Sequence, residues 1–242
     1  MNRFRLPLLA QVLLVVALAT ACSSPPPVLP DARAPGSQAQ LLQASYARMA
    51  ADGGRVFVLE PAASSVRIYV FRDGRAARLG HNHVLNAPRF SGFALLPAAG
   101  LADTRFDLEF RLDELAFDDP RQRAGLGAAF ASVLSAEAIQ GTREHMLGED
   151  NMQAARFPFV RVHGLRVSGE APHLAALVAV EMHGVTREQW IALTISGLPD
   201  ALTVSGSFVL RQTDFGIHPY SVAGGLLAVK DEVVVAFDLA GR

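Results

Sequence analysis

This sequence predicts an all-β fold: an antiparallel barrel of eight strands carrying a helical insertion, preceded by a signal peptide and a linker. Three observations point there. First, Phe106-Asp107-Leu108-Glu109-Phe110-Arg111-Leu112-Asp113 alternates apolar with charged residues, so one strand face should be buried and the other wet. Second, similar runs recur along the chain, most of them divided by short turns rich in Gly, Asp or Pro, which is the rhythm of a barrel or sandwich. Third, hydrophobic residues make up 50% of the 242 residues and charged ones only 19%, against roughly 25% in an ordinary domain, so there is ample material for a core. A single cysteine excludes an internal disulfide framework, a Cys-based zinc finger and a CxxC redox pair. The formal net charge of -1 excludes an acidic disordered tail and speaks against nucleic-acid binding.

Met1 to Arg5 carries Arg3 and Arg5 and no acid, and an apolar run from Leu6 to Leu18 follows, broken only by Pro7 and Gln11. That run is too short for a hydrocarbon core, which needs about 20 residues. A basic start, a short apolar run and small residues after it mark residues 1–21 as an export signal. Ala19-Thr20-Ala21-Cys22 resembles a bacterial lipoprotein signal, in which the cysteine is acylated and becomes the mature N-terminus. Ala19-Thr20-Ala21 also fits ordinary cleavage after Ala-x-Ala, but an unpaired thiol is a liability in an oxidising compartment unless it is modified. The expectation is therefore a lipid-anchored, periplasmic protein of the bacterial cell envelope, attached to the membrane through Cys22. Ser23 after the cysteine points to the outer membrane.

Loss of residues 1–21 removes Arg3 and Arg5 and takes the net charge from -1 to -3. Residues 22–54, rich in Pro, Ser, Ala and Gln, read as a flexible linker, with Pro25-Pro26-Pro27 favouring extended polyproline II geometry. A short helix over residues 37–49, around Leu41, Leu42 and Tyr46, belongs to packing or to the linker.

The barrel domain spans residues 55–242. Val66-Arg67-Ile68-Tyr69-Val70 alternates after a Ser-Ser turn, and further strands are expected at 89–96, 106–113, 159–167, 173–182, 189–195, 202–210 and 232–239. Asp119-Pro120 offers a helix N-cap with proline at the first helical position. Helical sequence runs from there to Phe130, and again from Ser135 to Met146 before Gly148, an excursion able to plug or lid one barrel end.

Several phrases follow one another in a telling order: Leu59-Glu60-Pro61-Ala62-Ala63-Ser64-Ser65-Val66, then Phe90-Ser91-Gly92-Phe93, then Thr142-Arg143-Glu144-His145-Met146-Leu147. Ala155-Arg156-Phe157-Pro158-Phe159, Met182-His183-Gly184-Val185-Thr186 and Gln212-Thr213-Asp214-Phe215-Gly216-Ile217 complete the series. Together they resemble the YceI-like family, lipocalin-like periplasmic barrels associated with polyisoprenoid lipids. The resemblance covers Arg55 to Arg242 and implies a barrel whose elongated apolar interior holds one long isoprenoid or quinone-like lipid, for sequestration or transport and without covalent chemistry. Eight strands leave room for packed side chains or one small ligand, and each buried CH₂ of a lipid gains roughly 0.8 kcal/mol. Phe90, Phe93, Phe106, Phe110, Leu193 and Phe208 are the candidate apolar contacts. Periodicity alone is equally compatible with a solid core.

Arg78-Leu79-Gly80-His81-Asn82-His83-Val84 departs from the family pattern. His81 and His83, two apart, would share a face of a strand and could contact a lipid head group, with Asn82 between them and His218 as a third partner at the rim. A metal or haem held by His81 and His83 is the alternative, and a polar loop bonded to neighbouring backbone is the plain structural reading. His81-Asn82-His83 spells a nuclease motif but lacks its ligand spacing and a basic surface. There is no P-loop, no GxGxxG, no HExxH and no Gly-x-Ser-x-Gly, so no catalytic residue is assigned. His145 reads as a cap or solvent-facing residue, His163, His173 and His183 as structural, and Trp190 as packing. Asp118-Asp119 and Glu149-Asp150 read as solvated turn acids.

Overall fold

The structure, a computed structural model, describes residues 35–242 apart from Asp52. The expected signal peptide, Cys22 and the first part of the linker lie outside the described residues. Helix α1 (Pro35–Ala50) comes first, so the compact unit begins at Pro35, well before the expected boundary at 55. Strands β1 (Arg55–Val58), β2 (Ser65–Asp73), β3 (His83–Asn86), β4 (Ser91–Leu96), β5 (Arg105–Arg111) and β6 (Ala116–Phe117) follow. The insertion carries α2 (Pro120–Ala124) and α3 (Ala136–Leu147). The second half of the sheet is β7 (Phe159–Glu170), β8 (His173–Met182), β9 (Val185–Ser196), β10 (Leu202–Arg211), β11 (Ser221–Val222) and β12 (Leu227–Gly241).

All pairings are antiparallel, in the order β1-β4-β5-β7-β8-β9-β10-β12-β2-β3-β6, with β11 on β12. Twelve strands stand where eight were expected, and the difference has a local cause. Strands β1 and β2 are one path along the same edge of β12, Leu59 bridging Gly241 and Ser65 facing Asp238, interrupted by the 3₁₀ turn Pro61–Ala63. Strands β3 and β4 are broken around Pro88, and β5 and β6 by the 3₁₀ turn Leu112–Glu114. Pro61 and Pro88 have no N–H to give to a ladder, so pairing stops at them.

Merging these three interrupted paths and setting aside the small β11 leaves eight strand paths. β12 is bonded to β10 on one edge and, on the other, to β2, and the same edge continues to the end of β1, where the Val58 N–H donates to the carbonyl of Arg242, just past β12, at 2.7 Å. The curled sheet thereby meets itself in a lipocalin-like barrel.

The helical insertion is shorter than the sequence suggested. Asp119 caps α2 by accepting from the Arg121 and Gln122 N–H groups, but Gly125 ends it, and only a 3₁₀ turn, Ala128–Phe130, follows before Ser135 caps α3. Phe130 packs edge-on against Tyr69 and Phe71 on the outer face of β2, so the insertion clads the wall as well as one end.

The outer face of β5 is not wet. Asp107 accepts a 2.5 Å hydrogen bond from the Tyr46 hydroxyl of α1 and is paired with His163, while Glu109 is buried against Arg161 at 2.5 Å. Under α1, Tyr46 stacks on Phe93 at 5.4 Å, with Leu95 beside them, forming a second small core outside the barrel.

Candidate functional site

The alternating strands turn their apolar faces inward around a cavity of about 680 Å³, a volume within the roughly 300–1,000 Å³ of small-ligand sites. Ile68, Phe106, Phe110, Val162, Phe208 and Phe237 come from five different strands to line it. Two glycines make room for aromatic rings. Gly164 on β7 lies opposite Phe106, where a Cβ would come 2.3 Å from the ring, and a Cβ on Gly206 of β10 would come 2.7 Å from the ring of Phe237. The absence of side chains at these points lets the rings lie across the neighbouring strand.

Polar groups gather where the cavity reaches the ends of β2, β10 and β12. His83, His145, Asn151, Gln212, His218 and Tyr220 line this part, and His145, His218 and Tyr220 are exposed there, which marks the mouth. Thr142, His145 and Met146 contribute from one face of α3. The rings of His145 and Tyr220 lie 5.2 Å apart, and Asn151 donates to the His218 carbonyl at 3.0 Å. His145 was missed as a site residue, although its spacing from Thr142 and Met146 is the i, i+3, i+4 pattern of a single helix face. Among the described residues, no Lys or Arg lines the cavity.

His83 is fixed from behind. Its Nδ1 lies 2.6 Å from Asp118 Oδ2, and Asp118 Oδ1 accepts from the Val84 N–H at 3.0 Å and from Arg123 at 2.5 Å. Asp118 is fully buried in the left-handed backbone region, at φ 50, not in a solvated turn. Burial acts to raise its carboxyl pKa, but the bonds from His83, Val84 and Arg123 outweigh that and hold it below the ordinary carboxylate value. Arg123 reaches on to the Asn82 carbonyl at 2.8 Å and to Ser132 Oγ at 3.0 Å.

The histidine pair does not share a face, because β3 starts only at His83 and His81 precedes it in a loop. His81 Nδ1 lies 3.2 Å from Ser132 Oγ, and partial burial followed by the nearby His83, Arg123 and Arg72 lowers its pKa below the usual imidazole value. Asn82 is a buried staple, accepting from the Arg72 N–H at 3.0 Å and donating to the Ala129 carbonyl at 3.0 Å. Among the described residues, no three His, Cys, Asp or Glu side chains are grouped as a metal-binding set.

Of the ten candidate ligand contacts within the barrel domain, His83, Phe106, Phe110, Phe208 and His218 line the cavity, and His81, Asn82, Phe90, Phe93 and Leu193 do not. Phe93 faces outward because β4 turns Phe93 and Leu95 toward α1 and Ala94 toward the barrel. Phe90 and Leu193 pack against the main core without reaching the cavity.

A family model described as the YceI-like domain matches residues 59–240. No curated protein matches the chain. Among solved structures, BcnA of Burkholderia cenocepacia is similar in fold, with a TM-score of 0.55 and 12% identity over 76% of this chain and 99% of that one. A Campylobacter jejuni YCEI protein, crystallised with large solvent channels for nanotechnology, superposes with a TM-score of 0.47 and 11% identity over 65% of this chain and 84% of its own.

Proposed function

Because the chain belongs to the YceI-like family, we propose that its barrel binds one long apolar lipid, of polyisoprenoid or quinone-like type, and sequesters or transports it in the bacterial cell envelope. The observation that carries this reading is the cavity of about 680 Å³, lined mainly by apolar side chains along its depth, with most of its polar groups gathered at its mouth. The binding energy is desolvation of the chain, about 25 cal/mol per Å² of apolar surface removed from water. His83, His145, His218 and Tyr220 supply hydrogen bonds to a head group. The lack of any Lys or Arg in the lining, among the described residues, favours a neutral carbonyl or hydroxyl head over a phosphate.

In this reading residues 1–21 are lost on export and Cys22 carries the membrane anchor. The domain then works on the periplasmic side, at the outer membrane. It is a binding protein with no catalytic residue and no nucleic-acid partner, and a redox partner belongs to the quinone case alone. A metal or haem on His81 and His83 is the competing reading, and the separate partners of the two rings count against it.

The test is native mass spectrometry of the full chain, with organic extraction and metal analysis of the same sample. The expected result is a bound mass matching a long isoprenoid, retained by wild type and lost in Phe110→Glu. Val162→Trp, which fills the cavity with an apolar group, should lose the lipid while staying folded. A bare polypeptide from an isoprenoid-replete host, or a metal that disappears with His81→Ala and His83→Ala, would overturn the proposal.

A further inference from the structure

Three segments form one lip of the cavity mouth. Residues 220–230 contain β11 and the start of β12, and Tyr220 at their head lines the cavity. Residues 74–81 lie beside them, with the Ala76 N–H donating to the Leu226 carbonyl at 2.8 Å. Residues 128–134 join at the other side through the contact of Ser132 with His81. This lip exposes large apolar side chains that nothing in the domain covers: Val133 at 95%, Leu79 at 69%, Leu226 at 45% and Tyr220 at 42%.

The charge on the lip is predominantly basic, with the exposed Asp73 at its edge and Asp231, beside Lys230, neutralised by Arg211. Arg75, Arg78 and Lys230 are exposed, and the three segments contain no Asp or Glu. That is unusual in a barrel whose mature chain is expected to carry a net negative charge. The α3 side of the mouth is different, with Glu144, Glu149 and Asp150 exposed. Apolar tips interleaved with cations suit the boundary between anionic head groups and acyl chains. The acidic side fixes the tilt, since it must stay in water while the basic side goes down.

We propose that this lip docks on an anionic phospholipid surface and holds the cavity mouth against it. The inference rests on the lipid-carrier reading, because a long apolar ligand passing through water on its way in would meet a high barrier from its exposed apolar surface. Docked at the lip, the ligand passes from acyl chains to cavity lining beside Tyr220, with no aqueous step.

The experiment uses the full chain carrying Cys22→Ser and a single labelling site, Val133→Cys, modified with a bimane fluorophore. Vesicles of brominated phosphatidylcholine, with or without phosphatidylglycerol, serve as the surface, and a label at Ala171→Cys, in the turn at the other end of the barrel, is the control. Whatever the N-terminal segment contributes is common to all variants. The expected result is quenching at 133 but not at 171, only when phosphatidylglycerol is present. Arg75→Glu with Arg78→Glu should weaken vesicle binding by about tenfold or more.

Equal quenching at both positions, or none at 133, would overturn the docking surface. Extraction of the same samples separates the two ideas. Retained lipid with an unquenched lip removes the docking surface and leaves the carrier. A quenched lip without extractable lipid supports the surface and removes the carrier.

Discussion

Asp118 and Asp119 are neighbours with unlike fates, and the contrast shows what a residue-scale reading can and cannot see. Asp119 caps α2, and its loss costs one N-terminal bond system, about 1 kcal/mol. Asp118 faces the buried Arg123 guanidinium, and Asp118→Ala would leave that cation without its counter-ion, with only neutral acceptors on Asn82 and Ser132, at about 3–5 kcal/mol. Urea unfolding of the two alanine variants should therefore differ by several-fold in lost stability, and equal losses would contradict the buried pair. The Asp118 carboxyl is held below its ordinary value, so its contribution is present above about pH 4 and disappears as the pH falls through the lowered value. The acid-side loss of wild-type stability should accordingly be blunted in the alanine variant. The Asp119 cap was legible in Asp119-Pro120, but the burial of Asp118 was not, because Asp-Asp-Pro looks like a wet turn and the decisive partner lies five residues on, brought back by a helix. The inward set Phe106, Phe110 and Phe208 was legible, since strict alternation assigns a face. Phe93 obeys the same alternation but points outward, because parity cannot say which of two covered faces encloses the cavity.

At the scale of elements, α1 was foreseen as a helix but not as part of the domain. Its stretch of sequence is too polar to announce a docking face, and the attachment depends on distant groups, Phe93, Asp107 and His163. Asp107 holds the His163 imidazole above its ordinary value in spite of partial burial. A raised histidine stabilises fully below the unfolded value of about 6.5 and loses that contribution as the pH rises through the folded value. The clamp on α1 should thus be tightest in mild acid and looser in mild alkali. Hydrogen exchange of the α1 amides, expressed as protection relative to the intrinsic base-catalysed rate at each pH, should show lower protection at the higher pH in wild type and no such difference in His163→Gln. Strand paths were legible where turns are short. The short strands β1, β3 and β6 were not, nor was the break at Leu112–Glu114 inside the run 106–113, because a 3₁₀ turn within an alternating run leaves little mark on composition.

For the whole molecule, the cavity is set by what its glycines omit. Gly164→Ala would press a methyl into the Phe106 ring and drive it into the open interior, at about 1–3 kcal/mol of stability. The expected outcome is a lower urea midpoint together with less retained lipid, and a variant that kept both unchanged would mean that the ring has room elsewhere. The family and the barrel could be read from the order of a few phrases, whereas the hollowness of the interior could not, since a filled barrel and an open one alternate alike. The joint between β2 and β12 has a further consequence, in time instead of space. It pairs Ser65 with Asp238 and Asp73 with Ala228, residues from the two halves of the chain, so every other neighbouring path can form before this one. Contacts so distant in sequence form slowly, and until they form the half-made cylinder presents its greasy lining to anything nearby. The zipping of that last joint is therefore the step expected to limit completion of the barrel. On the proposed carrier reading, a guest lipid already lying in the trough would hasten it, so that filling the container and finishing its wall would become one act.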